Sequence, residues 1–192
     1  MARVTVRPGA FTIRWRRLDL PGHEVGRLRP RDGGWELSGA ARFTWEGMHC
    51  ELEYIVACDV RWETRSARVV GAIGDRGVHL RLSANPERAW HVNGAECPAV
   101  AGCVDVDLGF SPSTNLIPIR RLSLAVGEQA EVRAAWLPFP SLACEPLDQV
   151  YRRAGDRTYR YEAGGGFVRT LEVNAVGFVT RYPGLWRAES AT

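Results

Sequence analysis

Residues 103–124, CVDVDLGFSPSTNLIPIRRLSL, hold the densest set of groups able to do polar chemistry. Asp105 and Asp107 alternate with Val104, Val106 and Leu108. Side chains two apart on a strand share a face, so the two carboxylates point the same way, roughly 7 Å apart. A turn with Pro112 and Asn115 follows, and then Arg120 and Arg121. A second strand there sends the two guanidinium groups to opposite faces, and the phase of Leu122 and Leu124 draws Arg120 inward. Three chemistries fit these residues. A buried acid–guanidinium network would fix strand register, because an unpaired internal charge is costly. Facing a hollow, the same groups would anchor a ligand: arginine gripping a phosphate or carboxylate, aspartate accepting hydroxyl protons from a sugar. The third is a paired-carboxylate hydrolase, with a separation between the usual acid–nucleophile values or at the low end of the inverting range.

The elements that must position these groups read as β-strands. Turn signals recur at Asp32-Gly33, Glu46-Gly47, Gly74-Asp75, Asn93-Gly94, Gly127-Glu128, Gly155-Asp156, Gly164-Gly165-Gly166 and Asn174 to Gly177. The runs between them are rich in Val, Ile, Thr, Tyr and Trp, as in a roll, barrel or sandwich. Alternation is clearest in residues 48–62. Leu52, Tyr54, Val56, Cys58, Val60 and Trp62 share one face, and Glu51, Glu53, Asp59 and Arg61 the other. Extended to Arg65, this segment would span roughly 60 Å at ~3.3 Å per residue, against roughly 40 Å for the whole domain. It must therefore curve strongly or turn near residues 64–67. The predicted fold is all-β: one strongly curved, mostly antiparallel sheet forming a roll or half-barrel, with little helix. A C-terminal meander is expected over 149–153, 157–163, 167–173 and 178–182. Residues 1–192 read as a single β domain, with a possible sub-sheet junction near 137–146.

Composition narrows the function. The chain has 192 residues, 45% of them hydrophobic, enough for a sizeable core. Its net charge of +3 does not demand a nucleic-acid partner. All 25 basic residues are arginine, which suits bidentate grips on carboxylate and phosphate as well as codon bias. The five cysteines include no CxxC pair, and the four histidines are scattered, so neither a disulfide framework nor a metal site is expected. No phosphate loop and no GxSxG occurs. No cofactor is expected. Neither a leader nor an apolar run of membrane-spanning length is seen, so the expected compartment is the cytoplasm.

The 103–124 segment resembles the signature of a bacterial glycolipid-binding family: D-x-D-L, then a Pro-x-Thr-Asn turn, then P-I-R-R-L. Here these are Asp105, Asp107 and Leu108; Pro112, Thr114 and Asn115; and Pro118 through Leu122. The likeness extends to Glu24, Trp35, Gly39, Tyr54, Asp59, Trp62, Thr64, Trp90, Gln149, Tyr151, Tyr159, Tyr161 and Tyr182-Pro183. Leu116-Ile117 replaces an expected Thr-Leu, and Asn174 an expected acid. The resemblance implies a curved antiparallel sheet like that of bacterial lipoprotein carriers, and non-catalytic binding of an amphiphile, a glycolipid or lipid. Asp105, Asp107, Asn115, Asp59 and Arg120 or Arg121 would then meet the polar head, and Trp62, Tyr54 and Tyr161 would line the pocket. Three rivals make distinct predictions. An enzyme acting on a small sugar or lipid needs a carboxylate of raised pKa in a cleft. A protein-interaction domain needs a filled concavity and an exposed apolar patch. A nucleic-acid binder needs arginines clustered on one face.

Overall fold

The computed structural model describes residues 9–189; residues 1–8, part of the stretch read above for a leader, lie outside it. Within it the chain forms one 15-stranded sheet that does not close into a barrel. Eight strands run in chain order from β1 (Phe11–Arg17) through β2 (Gly22–Arg31), β3 (Gly34–Trp45), β4 (Met48–Asp59), β5 (Thr64–Ile73) and β6 (Arg76–Ala84) to β7 (Trp90–Val92) and β8 (Ala95–Glu96). The second half is also a meander: β10 (Gln129–Leu137), β11 (Glu145–Gly155), β12 (Thr158–Ala163), β13 (Phe167–Val173), β14 (Val179–Tyr182) and β15 (Trp186–Ala188). Strand β15 pairs with β1, and this joins the halves. Strand β9 (Asp105–Leu108) lies parallel to β10, beyond which the described sheet ends. The all-β, curved and mostly antiparallel architecture is the one the alternation predicted. The segment 137–146 connects β10 to β11, which pair across it.

Burial follows the pleat. Cys50, Leu52, Tyr54, Val56 and Cys58 of β4 are buried, and the residues between them are not. The core they face is large and aromatic. Trp15 donates its indole N–H to the Val179 carbonyl at 2.6 Å, and Trp90 donates to Cys103 at 2.9 Å, so both polar handles are satisfied inside. Where bulk is dense, glycine yields space. Gly71 of β5 has φ +140°, and a Cβ there would stand 2.0 Å from the Glu51 carbonyl oxygen of β4. Gly71→Ala is expected to cost about 1–3 kcal/mol through that clash and its backbone strain, read by urea denaturation.

Two sequence expectations need correction. The long strand ends earlier than expected, at Asp59, and the chain reverses through Val60–Arg61–Trp62–Glu63. Asp59 makes that turn: its Oδ1 accepts the N–H groups of Arg61 and Glu63 at 2.9 and 3.0 Å, and its Oδ2 accepts Arg65 at 2.6 Å. Trp62 therefore sits in the turn, with φ +66°, rather than on the strand.

The second correction is larger. The expected strand bearing Arg120 and Arg121 is a helix, α1 (Leu116–Leu122), entered through a 3₁₀ turn (Ser113–Asn115). Pro118 falls in the first helical turn, where no intrahelical partner for its N–H is needed, so it does not break the helix. Leu116, Ile117, Pro118 and Ile119 are all buried, and Ser123 stops the helix in the left-handed region.

Candidate functional site

On a helix, successive side chains diverge by about 100°, since 3.6 residues make a turn, so α1 separates its two arginines. Arg121 points at β9. Its Nε and Nη2 donate to the two oxygens of Asp105 at 2.9 and 2.6 Å. This is a bidentate pair in which the Asp105 side chain is 1% exposed and that of Arg121 19%. Burial pushes the Asp105 carboxyl above its usual range, and Arg121 pulls it back in part. Arg120 points the other way and is exposed, its guanidinium 5.3 Å from the Trp62 ring centroid. Trp62 itself stacks on Trp35 at 4.8 Å. The inward arginine is thus Arg121 and not Arg120, because the segment is helical.

Asp107, two residues along β9, reaches different partners. Gln149 of β11 donates one side-chain N–H direction to Asp107 at 2.5 Å and another to the Tyr161 hydroxyl of β12 at 2.9 Å. Burial lifts the Asp107 carboxyl to about 6, against the lowering effect of hydrogen bonds from Gln149 and Thr114. Beside this row, Asn115 donates to the buried Tyr151 hydroxyl at 2.8 Å.

A cleft of about 290 Å³ opens next to Asp107. Asp107, Ser111, Asn115 and Tyr161 give it a polar wall; Trp136, Leu147, Phe167, Tyr182 and Trp186 give it an apolar one. Among the described residues no arginine borders it, and Asp107 is its one acid. Burial pushes the Tyr161 and Tyr182 phenols up, so both stay neutral hydroxyl groups. Core side chains and the buried residues of α1 pack beside it, and a more open trough of about 480 Å³ lies at the C-terminal end of α1.

Behind Ser111 lies a second polar cluster. The Tyr54 and Ser111 hydroxyls each donate to Glu24 Oε1 at 2.6 Å, and Ser111 also meets Ser113 at 2.6 Å. Glu24 is fully buried, and its Oε2 has no hydrogen-bond partner. Burial raises its pKa to about 7, with Ser111, Tyr54 and Arg17 acting in the opposite direction. This cluster holds the Gly109–Ser113 side of the cleft against β2 and β4.

The nine residues singled out from sequence therefore fall into three places. Asp107, Asn115 and Tyr161 border the cleft. Asp105, Arg121 and Tyr54 are buried in the supporting networks. Asp59 and Trp62 lie at the β4–β5 turn, with Arg120 of α1 against the Trp62 ring, and none of the three is among the cleft's lining residues.

A family model described as "Putative glycolipid-binding" matches residues 12–188. The chain belongs to this family. A crystal structure of a DUF1089 family protein from Pseudomonas aeruginosa superposes with a TM-score of 0.76 at 34% identity, covering 85% of this chain and 91% of that one. No curated protein matches. In this family member, the resemblance had included Glu24, Gln149, Tyr151 and Tyr182 without giving them a place; the structure sets all four in or behind the cleft wall. One signal was available for Glu24, which shares strand parity with Leu28 and so had to face inward as a lone acid. Trp136, Phe167 and Trp186 carried none, since each also fits an ordinary core position. Asn174, where the family pattern expects an acid, caps a turn: its Oδ1 accepts the N–H groups of Val176, Gly177 and Phe178. Among the described residues no helix is long and apolar enough to cross a membrane.

Proposed function

We propose that the protein binds the uncharged, hydroxyl-bearing end of an amphiphile such as a glycolipid in the cleft between β9 and β11–β15. The observation that carries this reading is the composition of the cleft wall. It offers a carboxyl, an amide, phenols and a serine hydroxyl, with aromatic and aliphatic faces opposite and no cation. Such a wall hydrogen-bonds sugar hydroxyls and packs against a ring or the first methylenes of a chain. It offers nothing to neutralise a phosphate. At about 290 Å³ the cleft sits at the small end of ligand sites, so it takes a headgroup and leaves the longer chain outside.

Octyl glucoside is expected to bind and to change intrinsic fluorescence through Trp136 and Trp186, whereas octyl phosphate binds at least about 10-fold more weakly. Asp107→Asn should weaken the glucoside about 10-fold, the effect of one hydrogen bond to a charged acceptor. Affinity of the unaltered protein should rise as the pH passes about 6, where Asp107 ionises and becomes a full acceptor. Equal binding of the two detergents, or an unaffected Asp107→Asn variant, refutes the assignment.

One observation favours a second reading, an enzyme: Asp107 is a carboxyl in a cleft with its pKa lifted to about 6. Glycoside hydrolysis ordinarily uses two carboxyl groups flanking the bond, and the cleft presents one. Release of free sugar from an aryl glycoside, abolished by Asp107→Asn, would decide for this second reading.

A further inference from the structure

Six of the arginines that the cleft does not use line the outer face of the first half of the sheet. Two shallow troughs, of about 480 and 470 Å³, lie on the outer face of β1–β6 and meet at Ile55 and Arg68. Arg14, Arg27 and Arg42 border the first, and Arg31 and Arg81 the second. The strand register sets the pattern. Arg27, Ser38, Ile55, Arg68 and Arg81 succeed one another across five neighbouring strands. That row is roughly 19 Å wide at the ~4.8 Å strand spacing.

The charge on this face is not cancelled. Arg42 pairs with Glu51, and Arg29 and Arg31 share Glu36, but Arg14, Arg27, Arg68 and Arg81 have no acidic partner among the described residues. Among the residues lining the troughs Glu53 is the one acid, and it has no ion-pair partner among the described residues. With Arg29 included, seven arginines stand against three glutamates, an excess of four positive charges. At the centre of the guanidinium groups is Ile55, 42% exposed, with Val25 and Val70 beside it.

We propose that this outer face docks the protein on an anionic lipid surface. Guanidinium groups at the phosphate level with an aliphatic side chain reaching inward among them match the layering of a headgroup region. A nucleic acid is a poorer match. Tyr54, the one aromatic residue bordering either trough, is buried with its hydroxyl on Glu24, so no exposed ring is offered to stack on bases, and neither trough is bordered by a helix that would enter a groove. The proposal is independent of the cleft, which opens elsewhere.

The test is flotation of the full chain with phosphatidylcholine vesicles, with and without phosphatidylglycerol. Binding is expected only with phosphatidylglycerol at about 0.1 M salt, and is lost near 1 M, where the screening length falls to ~3 Å. Arg27→Glu combined with Arg68→Glu changes four charges and should weaken vesicle binding by about two orders of magnitude. Both side chains are exposed, so an unchanged thermal midpoint is expected. Ile55→Asp should also weaken binding without touching an arginine. Failure to float with phosphatidylglycerol, or full binding by both variants, overturns the proposal. So does a tighter, equally salt-sensitive complex with a mixed-sequence DNA strand.

Discussion

Arg121→Ala is expected to lower stability by about 3–5 kcal/mol, while its neighbour Arg120→Ala costs less than about 1 kcal/mol. The difference lies in what each truncation leaves behind. Removing Arg121 strands the Asp105 carboxylate, 1% exposed, with no counter-charge at its two oxygens. Removing Arg120 uncovers one face of Trp62 at the surface. The Arg121→Ala deficit should depend on pH with a defined sign. Asp105 already has a raised pKa, and loss of its partner raises it further. A carboxyl raised in the folded state keeps its full contribution below the unfolded pKa and loses it as the pH climbs. The variant should therefore be closest to the parent near pH 4 and fall away toward pH 8. Chemical denaturation at the two pH values reads this directly. Asp105→Leu combined with Arg121→Met should regain most of the loss, since an apolar pair of similar volume leaves no buried charge. No such recovery would mean that the pair matters through shape rather than charge.

Glu24→Gln is the second large effect, and it is seen as a change in pH profile. Glu24 titrates at about 7 in the folded protein, against 4.5 as its ordinary value, because burial disfavours the ion. Its contribution is complete below about pH 4.5 and is lost as the pH rises through 7. A shift of this size corresponds to about 3 kcal/mol in all. Glutamine keeps an oxygen to accept the Tyr54 and Ser111 hydroxyls and cannot ionise. From pH 5 to pH 8 the variant should gain about 2–3 kcal/mol relative to the parent, measured as the difference between two urea curves. Parallel pH profiles would show that Glu24 is ionised throughout, stabilised by Arg17 more than burial opposes it.

Both predictions concern support rather than contact, and this bears on how the 103–124 segment works. Its acids divide the labour. Asp105 ties β9 to α1 through Arg121, and that tie fixes where Asp107 stands two residues later. Asp107 then meets Gln149 and Tyr161 at the wall of the cleft. The network reading of the sequence is thus realised by Asp105 and Arg121, while the proposed anchor role rests on Asp107 at the cleft wall.

The sequence by itself determined the strands, because a period-2 pattern survives whatever packs on it. The alternation in residues 48–58, the hairpin glycines and the C-terminal meander all follow from pleat and turn chemistry. It also offered an internal aspartate–arginine pair from 103–124 as one of three readings, since neither charge tolerates burial alone. Only the tertiary structure decided which arginine. A short apolar run containing proline reads equally as strand or as first helical turn, and α1 is held by the burial of Leu116, Ile117 and Ile119 rather than by its own propensity. The cleft was hidden for a related reason. Its walls come from strands as far apart in the chain as β9 and β15, and no local pattern records which aromatic rings leave a gap between them. The clustering of arginines on one outer face is likewise a product of register: alternation sends each outward, but only strand pairing sets Arg27, Arg68 and Arg81 in one row.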